Sequence, residues 1–180
     1  LYSLISHIAN KFFKVGKMSE NVFSNNIKYK FVTVATFHEE KVRGQKEPER
    51  EQLCLIATKH IERNRELIHP FSEFVLEIKY NAFNSMKYRA DTVVRFLNFM
   101  LNNNQEYKLK SFSALKAEHG EDYLNYMREA GCAGSYIARE DNHLTKFYYF
   151  LAKKELLDSV RKEEFKWETR IIRGKTITYP

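Results

Sequence analysis

Cysteine, proline and glycine are scarce in this chain, with two Cys, three Pro and six Gly among 180 residues. Cys54 and Cys132 are far apart and cannot frame a disulfide scaffold, which points to a reducing compartment. So little Gly and Pro leaves few turn residues for a multi-stranded β fold, and the chain is expected to be mainly helical. No apolar run approaches the roughly 20 residues that a bilayer-spanning helix needs. The opening run Leu1, Leu4, Ile5, Ile8 and Phe12 has helical spacing, but Lys11, Lys14 and Lys17 follow the apolar part instead of preceding it. No small-residue cleavage site comes after them, so a signal peptide is excluded and a soluble, intracellular protein without a membrane partner is expected. Aromatics are not lacking: fourteen Phe and eleven Tyr bury too much area for a disordered chain. The chain begins at Leu without an initiator Met and stops at Thr178-Tyr179-Pro180, just after what reads as a new strand, so a fragment of a longer protein is expected.

The formal charge of +7 is unevenly spread: residues 1–66 carry +4, residues 67–160 carry 0 and residues 161–180 carry +3. A neutral middle argues against nucleic acid unless its charges are segregated, because phosphate attraction dominates such binding. They are segregated by helix. The stretch 117–130 is acidic (Glu118, Glu121, Asp122, Glu129), whereas the helices before and after it offer Lys87, Arg89, Arg95, Arg139, Lys146, Lys153 and Lys154.

The pattern of apolar residues predicts a helix at about 1–14, then a β-branched and aromatic run from Lys28 to Phe37 that reads as a strand of a small hairpin. Glu39 to Glu51, with Gly44 and Pro48, reads as a linker, and Glu51 to Leu67 as a helix with Leu53, Ile56, Ala57, His60 and Ile61 inward. Pro70 suits the first turn of a helix that carries Phe71, Phe74, Val75 and Ile78. Asn84-Ser85 offers an N-cap for a helix over 85–102. Its apolar side holds Met86, Ala90, Val93, Val94, Leu97, Met100 and Leu101, and its opposite face is the stripe Lys87, Asp91, Arg95, Asn98, Asn102. A helix over 117–130 ends at Gly131, a residue suited to the left-handed position after a helix. Gly134-Ser135 opens another, over 135–153, with Ile137, Leu144, Phe147, Tyr148 and Leu151 inward and Ser135, Arg139, Asn142, Lys146, Tyr149 and Lys153 outward. A short fifth helix is expected to hold Leu156, Leu157 and Val160. Tyr149 or Phe150 is left over for the N-terminal segment or a partner protomer.

From Phe71 to Leu157 the chain resembles the core-binding, SAM-like domain of tyrosine site-specific recombinases, the phage-integrase family. The resemblance rests on an ordered set. Ser85, Tyr88 and Phe96-Leu97-Asn98-Phe99-Met100 come first, then Tyr123-Leu124-Asn125-Tyr126-Met127 with Gly131. Ala133-Gly134-Ser135-Tyr136-Ile137, Lys146-Phe147-Tyr148-Tyr149-Phe150-Leu151 and Lys154-Glu155-Leu156-Leu157 follow. Tyr136 stands where the family usually has Thr, and the Asn-Pro after the last helix is missing.

The resemblance implies a mainly α architecture: a four- to five-helix SAM-like bundle over residues 67–160, preceded by a helical extension (1–66) with a small β element, and followed by a linker (161–180). It implies half of a C-shaped clamp on double-stranded DNA at a recombination site, in a tetrameric synapse with other protomers, in a cytoplasmic, nucleoid-associated setting that serves integration or transposition. The residues it points to as DNA contacts are Lys87, Arg89, Ser135, Tyr136 and Arg139; the polar stripes add Arg95, Asn142 and Lys146, and the linker adds Arg170 and Arg173. Helix N-termini suit phosphates, and Arg or Lys can reach guanine acceptors in the major groove. Tyr136 either stacks at the DNA or makes a capping contact. The extension 1–66 is either a second, arm-type DNA contact or a packing segment. The family's strand cleavage needs two Arg, a His, a Lys and a nucleophilic Tyr in a following domain, and nothing after residue 160 is long enough to hold that set. The chain itself is therefore expected to have no catalytic residue. His60-Ile61-Glu62-Arg63 matches a His-x-x-Arg pattern but precedes the clamp domain and reads as an ordinary helix face. The six His and two Cys show no metal-ligand spacing and no Gly-rich phosphate loop is present, so no metal or cofactor is expected. Cys132 reads as a small packed residue. Without the resemblance, the same charge stripes read as solvated faces of a helical protein-interaction module.

Overall fold

The computed structural model describes residues 14–15, 27–37, 50–62, 65–78, 83–166, 168–172 and 175–179. Helix outweighs strand among them, and a small antiparallel sheet precedes the helices. The chain divides into two compact units, one running through the sheet to Leu101 and the other from Asn102 onward. That division falls inside the segment 67–160 expected as one helical domain.

The first unit is built on strands β1 (Lys14–Val15), β2 (Ile27–Phe37), β3 (Arg50–His60) and β4 (Arg65–Ile68), in the order β1-β4-β3-β2. β2, β3 and β4 are antiparallel, with Tyr29 opposite Thr58 and Phe31 opposite Ile56, and β1 runs parallel to β4. The expected strand at 28–37 is present. The expected helix over 51–67 is not: that stretch forms β3, a turn and β4. Leu53, Cys54, Leu55, Ile56 and Ala57 are all buried, so β3 is covered on both faces and lacks the alternation that marks a half-exposed strand. His60 accordingly closes a strand rather than sitting on a helix face. Of the helix expected at 1–14 only Lys14 is described, in β1, and most of the linker 39–51 also lies outside the described residues.

Helices α1 (Ser72–Leu76) and α2 (Phe83–Asn102) complete this unit. α2 begins at Phe83, so Asn84 and Ser85 fall in its first turn instead of capping it. Met86, Ala90, Val93, Leu97 and Met100, with Phe71 and Phe74, are buried as helical periodicity predicts, and Phe96, Leu53, Ile56 and Ile68 are buried as well.

The second unit opens with α3 (Asn104–Tyr107), a 3-10 turn at Phe112–Ala114, and helices α4 (Ala117–Glu129) and α5 (Gly134–Lys153). Leu115, Tyr123, Leu124, Met127, Ile137, Leu144, Phe147 and Leu151 are buried. Among them sits the carboxylate of Glu140, which accepts a hydrogen bond from the Tyr123 hydroxyl at 3.1 Å. Gly131 takes φ +76 at the end of α4, and Cys132 N–H donates back to Met127 O at 3.1 Å, closing the helix as expected.

α5 ends in the same way, with Glu155 at φ 56 and Leu156 N–H donating to Leu151 O at 2.9 Å. This left-handed turn, fixed further by Asp158 N–H on Ser113 O at 2.8 Å, is why the expected fifth helix at 156–160 does not form. A 3-10 turn at Lys162–Glu164 and a hairpin of β5 (Glu168–Ile172) with β6 (Lys175–Tyr179) finish the unit, pairing Glu168 with Tyr179 and Ile172 with Lys175. No helix of the described residues is long and apolar enough to cross a membrane.

Candidate nucleic-acid interface

Two stripes of polar residues, one on α2 and one on α5, are expected to meet DNA. The structure gives them different surroundings. On α2 the stripe lies along the sheet. Asn98 uses both halves of its amide on one residue of β2: Tyr29 N–H donates to Asn98 Oδ1 at 3.0 Å, and Asn98 Nδ2 donates to Tyr29 O at 3.0 Å. β2 is the last strand of its sheet among the described residues, so this amide stands where a neighbouring strand's backbone would be. Ser72 on α1 does the same at β3, its hydroxyl accepting from Ile56 N–H at 2.9 Å and donating to Ile56 O at 3.1 Å.

Arg89 is a correction to the expected contact set. It is buried at 8% exposure, its guanidinium donating to Phe74 O at 2.8 Å, lying 3.5 Å from a Glu77 oxygen and stacking 4.3 Å from the Phe74 ring centre. It thereby ties α2 to the end of α1, where unpaired carbonyls favour a cation. Burial pulls its pKa below the ordinary value, with Glu77 opposing. Arg95 is half-buried and pairs with Asp91 one turn earlier. Lys87 remains exposed at the start of α2, its Nζ 5.9 Å from the centre of the Phe31 ring on β2. Beneath them Cys54 is buried, and burial, with help from Asp91 and against Lys87, pushes its thiol up to about 11. It stays protonated and inert at neutral pH.

On α5 the stripe faces outward. Ser135, Arg139, Asn142 and Lys153 are exposed, and Lys146 and Tyr149 are half-exposed. Ala133 enters the helix in extended conformation without a side-chain cap, so Ser135 sits in the first turn with its hydroxyl uncommitted to capping. The Arg139 guanidinium lies 4.9 Å from the ring centre of Tyr136, one turn back, which holds the two together at the start of the helix. Tyr149 makes an edge contact with Phe165 at 5.4 Å within its own unit, and Phe150 is buried. The stripe contains no acid, and over eighteen residues it extends about 27 Å along the helix.

Arg170 lies on β5 opposite Ile177, and Arg173 lies outside the described residues. The acidic face of α4 is also in place: Glu118, Glu121 and Glu129 are exposed, and Asp122 accepts from the Tyr107 hydroxyl at 3.0 Å. Burial and that carboxylate push the Tyr107 phenol up to about 12. Cys132 is half-buried. Among the described residues no three His, Cys, Asp or Glu side chains gather as metal ligands. Sequence reasoning missed Ser72 and Asn98 as ladder-completing side chains, since nothing in helical spacing marks an amide that will face a strand edge. No family model, no curated protein and no solved structure matches the chain.

Proposed function

We propose that this chain is the DNA-binding portion of a tyrosine site-specific recombinase or integrase, acting on double-stranded DNA with other protomers of its kind. Cleavage would fall to a separate catalytic domain. The observation that carries the reading is the outward, acid-free stripe Ser135, Arg139, Asn142, Lys146 and Lys153 on α5. A single helix fits the major groove, and a stripe of this composition offers Arg and Lys for phosphates and guanine, with Asn for adenine. The ordered resemblance from Phe71 to Leu157 supplies the family, including the SAM-like bundle and the nucleoid setting. The sheet unit is the arm-type second contact or a packing module in that scheme.

A gel shift on duplex DNA across a salt series tests this. Arg139→Glu with Lys146→Glu is expected to weaken binding by roughly tenfold or more and to flatten the dependence on salt, because each lost phosphate contact removes about one unit of log–log slope. Melting temperature should move little, since Arg139 is exposed and Lys146 half-exposed. Binding at low salt that ignores both substitutions, or no binding at all, would sink the recombinase reading and leave a helical interaction module. Lys87→Glu sharpens the outcome: weakened binding argues that α2 still contributes through its exposed first turn.

A further inference from the structure

We propose that the hollow between α4 and α5 is a docking pocket for a basic polypeptide segment of a partner protein, which inserts one large apolar side chain. The proposal does not rest on the recombinase reading. Leu124, Leu144, Tyr148, Val160 and Phe165 give the hollow its apolar lining, and its volume is about 190 Å³. That is below the roughly 300–1,000 Å³ of sites for free small ligands and suits a single side chain. The walls are fixed before any partner arrives. The Tyr148 hydroxyl donates to Lys116 O at 2.8 Å, and α4 comes so near its ring at Gly120 that a Cβ there would stand 3.3 Å from Tyr148 Cε2. Phe165 is held by its edge contact with Tyr149.

The charge around the opening selects the occupant. Glu121 and Asp141 both line the hollow, both are exposed, and among the described residues neither has an ion-pair or hydrogen-bond partner. Their neighbours on α4 differ, since Glu118 pairs with Lys116 at 3.1 Å and Asp122 holds the Tyr107 hydroxyl. Two free carboxylates beside an apolar hollow repel phosphates and attract Lys or Arg flanking a hydrophobic anchor. Asp141 and Thr145 sit about a third of a turn or less from the α5 stripe, while Leu144 and Tyr148 point into the unit. The pocket and the stripe therefore occupy different flanks of one helix.

Fluorescence anisotropy with the full chain and a labelled Lys-Arg-Phe-Lys-Arg peptide tests the pocket, with Lys-Arg-Ala-Lys-Arg as comparison. The Phe peptide is expected to bind roughly tenfold or more tighter than the Ala peptide, the effect of burying one aromatic side chain. Thr145→Trp, which fills the hollow, and Glu121→Lys with Asp141→Lys, which reverse its charge, should each remove that preference. Arg139→Glu should leave it intact. Equal binding of the two peptides, no binding at millimolar peptide, or a preference that survives Thr145→Trp would overturn the proposal. So would sedimentation showing a dimer that Glu121→Lys abolishes, because the occupant would then be a second copy of the chain.

Discussion

Helices α2 and α5 are each twenty residues long, and each carries polar side chains at intervals of three and four. Their fates differ. On α2, Asp91, Arg95 and Asn98 are half-buried, Arg89 is buried, and the polar groups bond to strand edges, helix ends and one another. On α5, Ser135, Arg139, Asn142 and Lys153 are exposed, Lys146 and Tyr149 are half-exposed, and the stripe itself holds no carboxylate. Spacing tells which residues share a face, while the neighbour that folds against that face decides how deeply they are buried.

Acid should break the contrast most severely. His69 in the sheet unit is buried, its ring against Tyr29 and Phe71 at 5.5 and 4.4 Å between centres, and its Nδ1 accepts from Phe71 N–H at 3.2 Å. Burial lowers its pKa from 6.5 to about 3. The unfolded chain takes up the proton first, so the full stability present above pH 6.5 is lost as pH falls toward 3. The slope is about 1.4 kcal/mol per pH unit and the total about 5 kcal/mol. Urea unfolding at a series of pH values between about 6.5 and 5.5, where ordinary carboxylates are still ionised, should show this dependence, and His69→Asn should reduce it. Equal stability across that range would mean the ring is not sealed from solvent.

Arg89→Leu comes next, with an expected loss of about 2–3 kcal/mol, because the Phe74 carbonyl and Glu77 lose a charged donor. Asn98→Ala should cost less, about 1–2 kcal/mol, for two backbone groups of Tyr29 left without partners. In both variants the α5 stripe is untouched, so DNA binding by folded protein should persist. Unchanged stability together with lost binding in either one would return the α2 stripe to the DNA and erase the difference between the helices.

The helical parts of the second unit were legible because their signals are local. Gly131 at positive φ, the apolar period through Tyr123, Leu124 and Met127, and that through Ile137, Leu144, Phe147 and Leu151 all stand in the structure where sequence places them. β3 was not legible as a strand, since a stretch buried on both faces carries no period of two. Glu155 is a second case: a glutamate in the left-handed region gives no warning in the sequence that a helix stops there. Of the expected DNA contacts on α5, Ser135, Arg139 and Asn142 are exposed and Tyr136 and Lys146 half-exposed, whereas Arg89 is buried against the Phe74 carbonyl, a partner that only the tertiary fold could reveal.

The Asn98 amide also bears on the open edge of the sheet. β2 is an eleven-residue edge strand whose Phe31-Val32-Thr33-Val34-Ala35-Thr36-Phe37 stretch has no charge and no proline, the composition from which cross-β stacks grow. Growth by strand addition needs the exposed backbone groups of the terminal strand, and at Tyr29 both are already taken by a side chain. One amide thus blocks strand addition at the Tyr29 position of that edge. Its loss would open that position to the backbone of another strand.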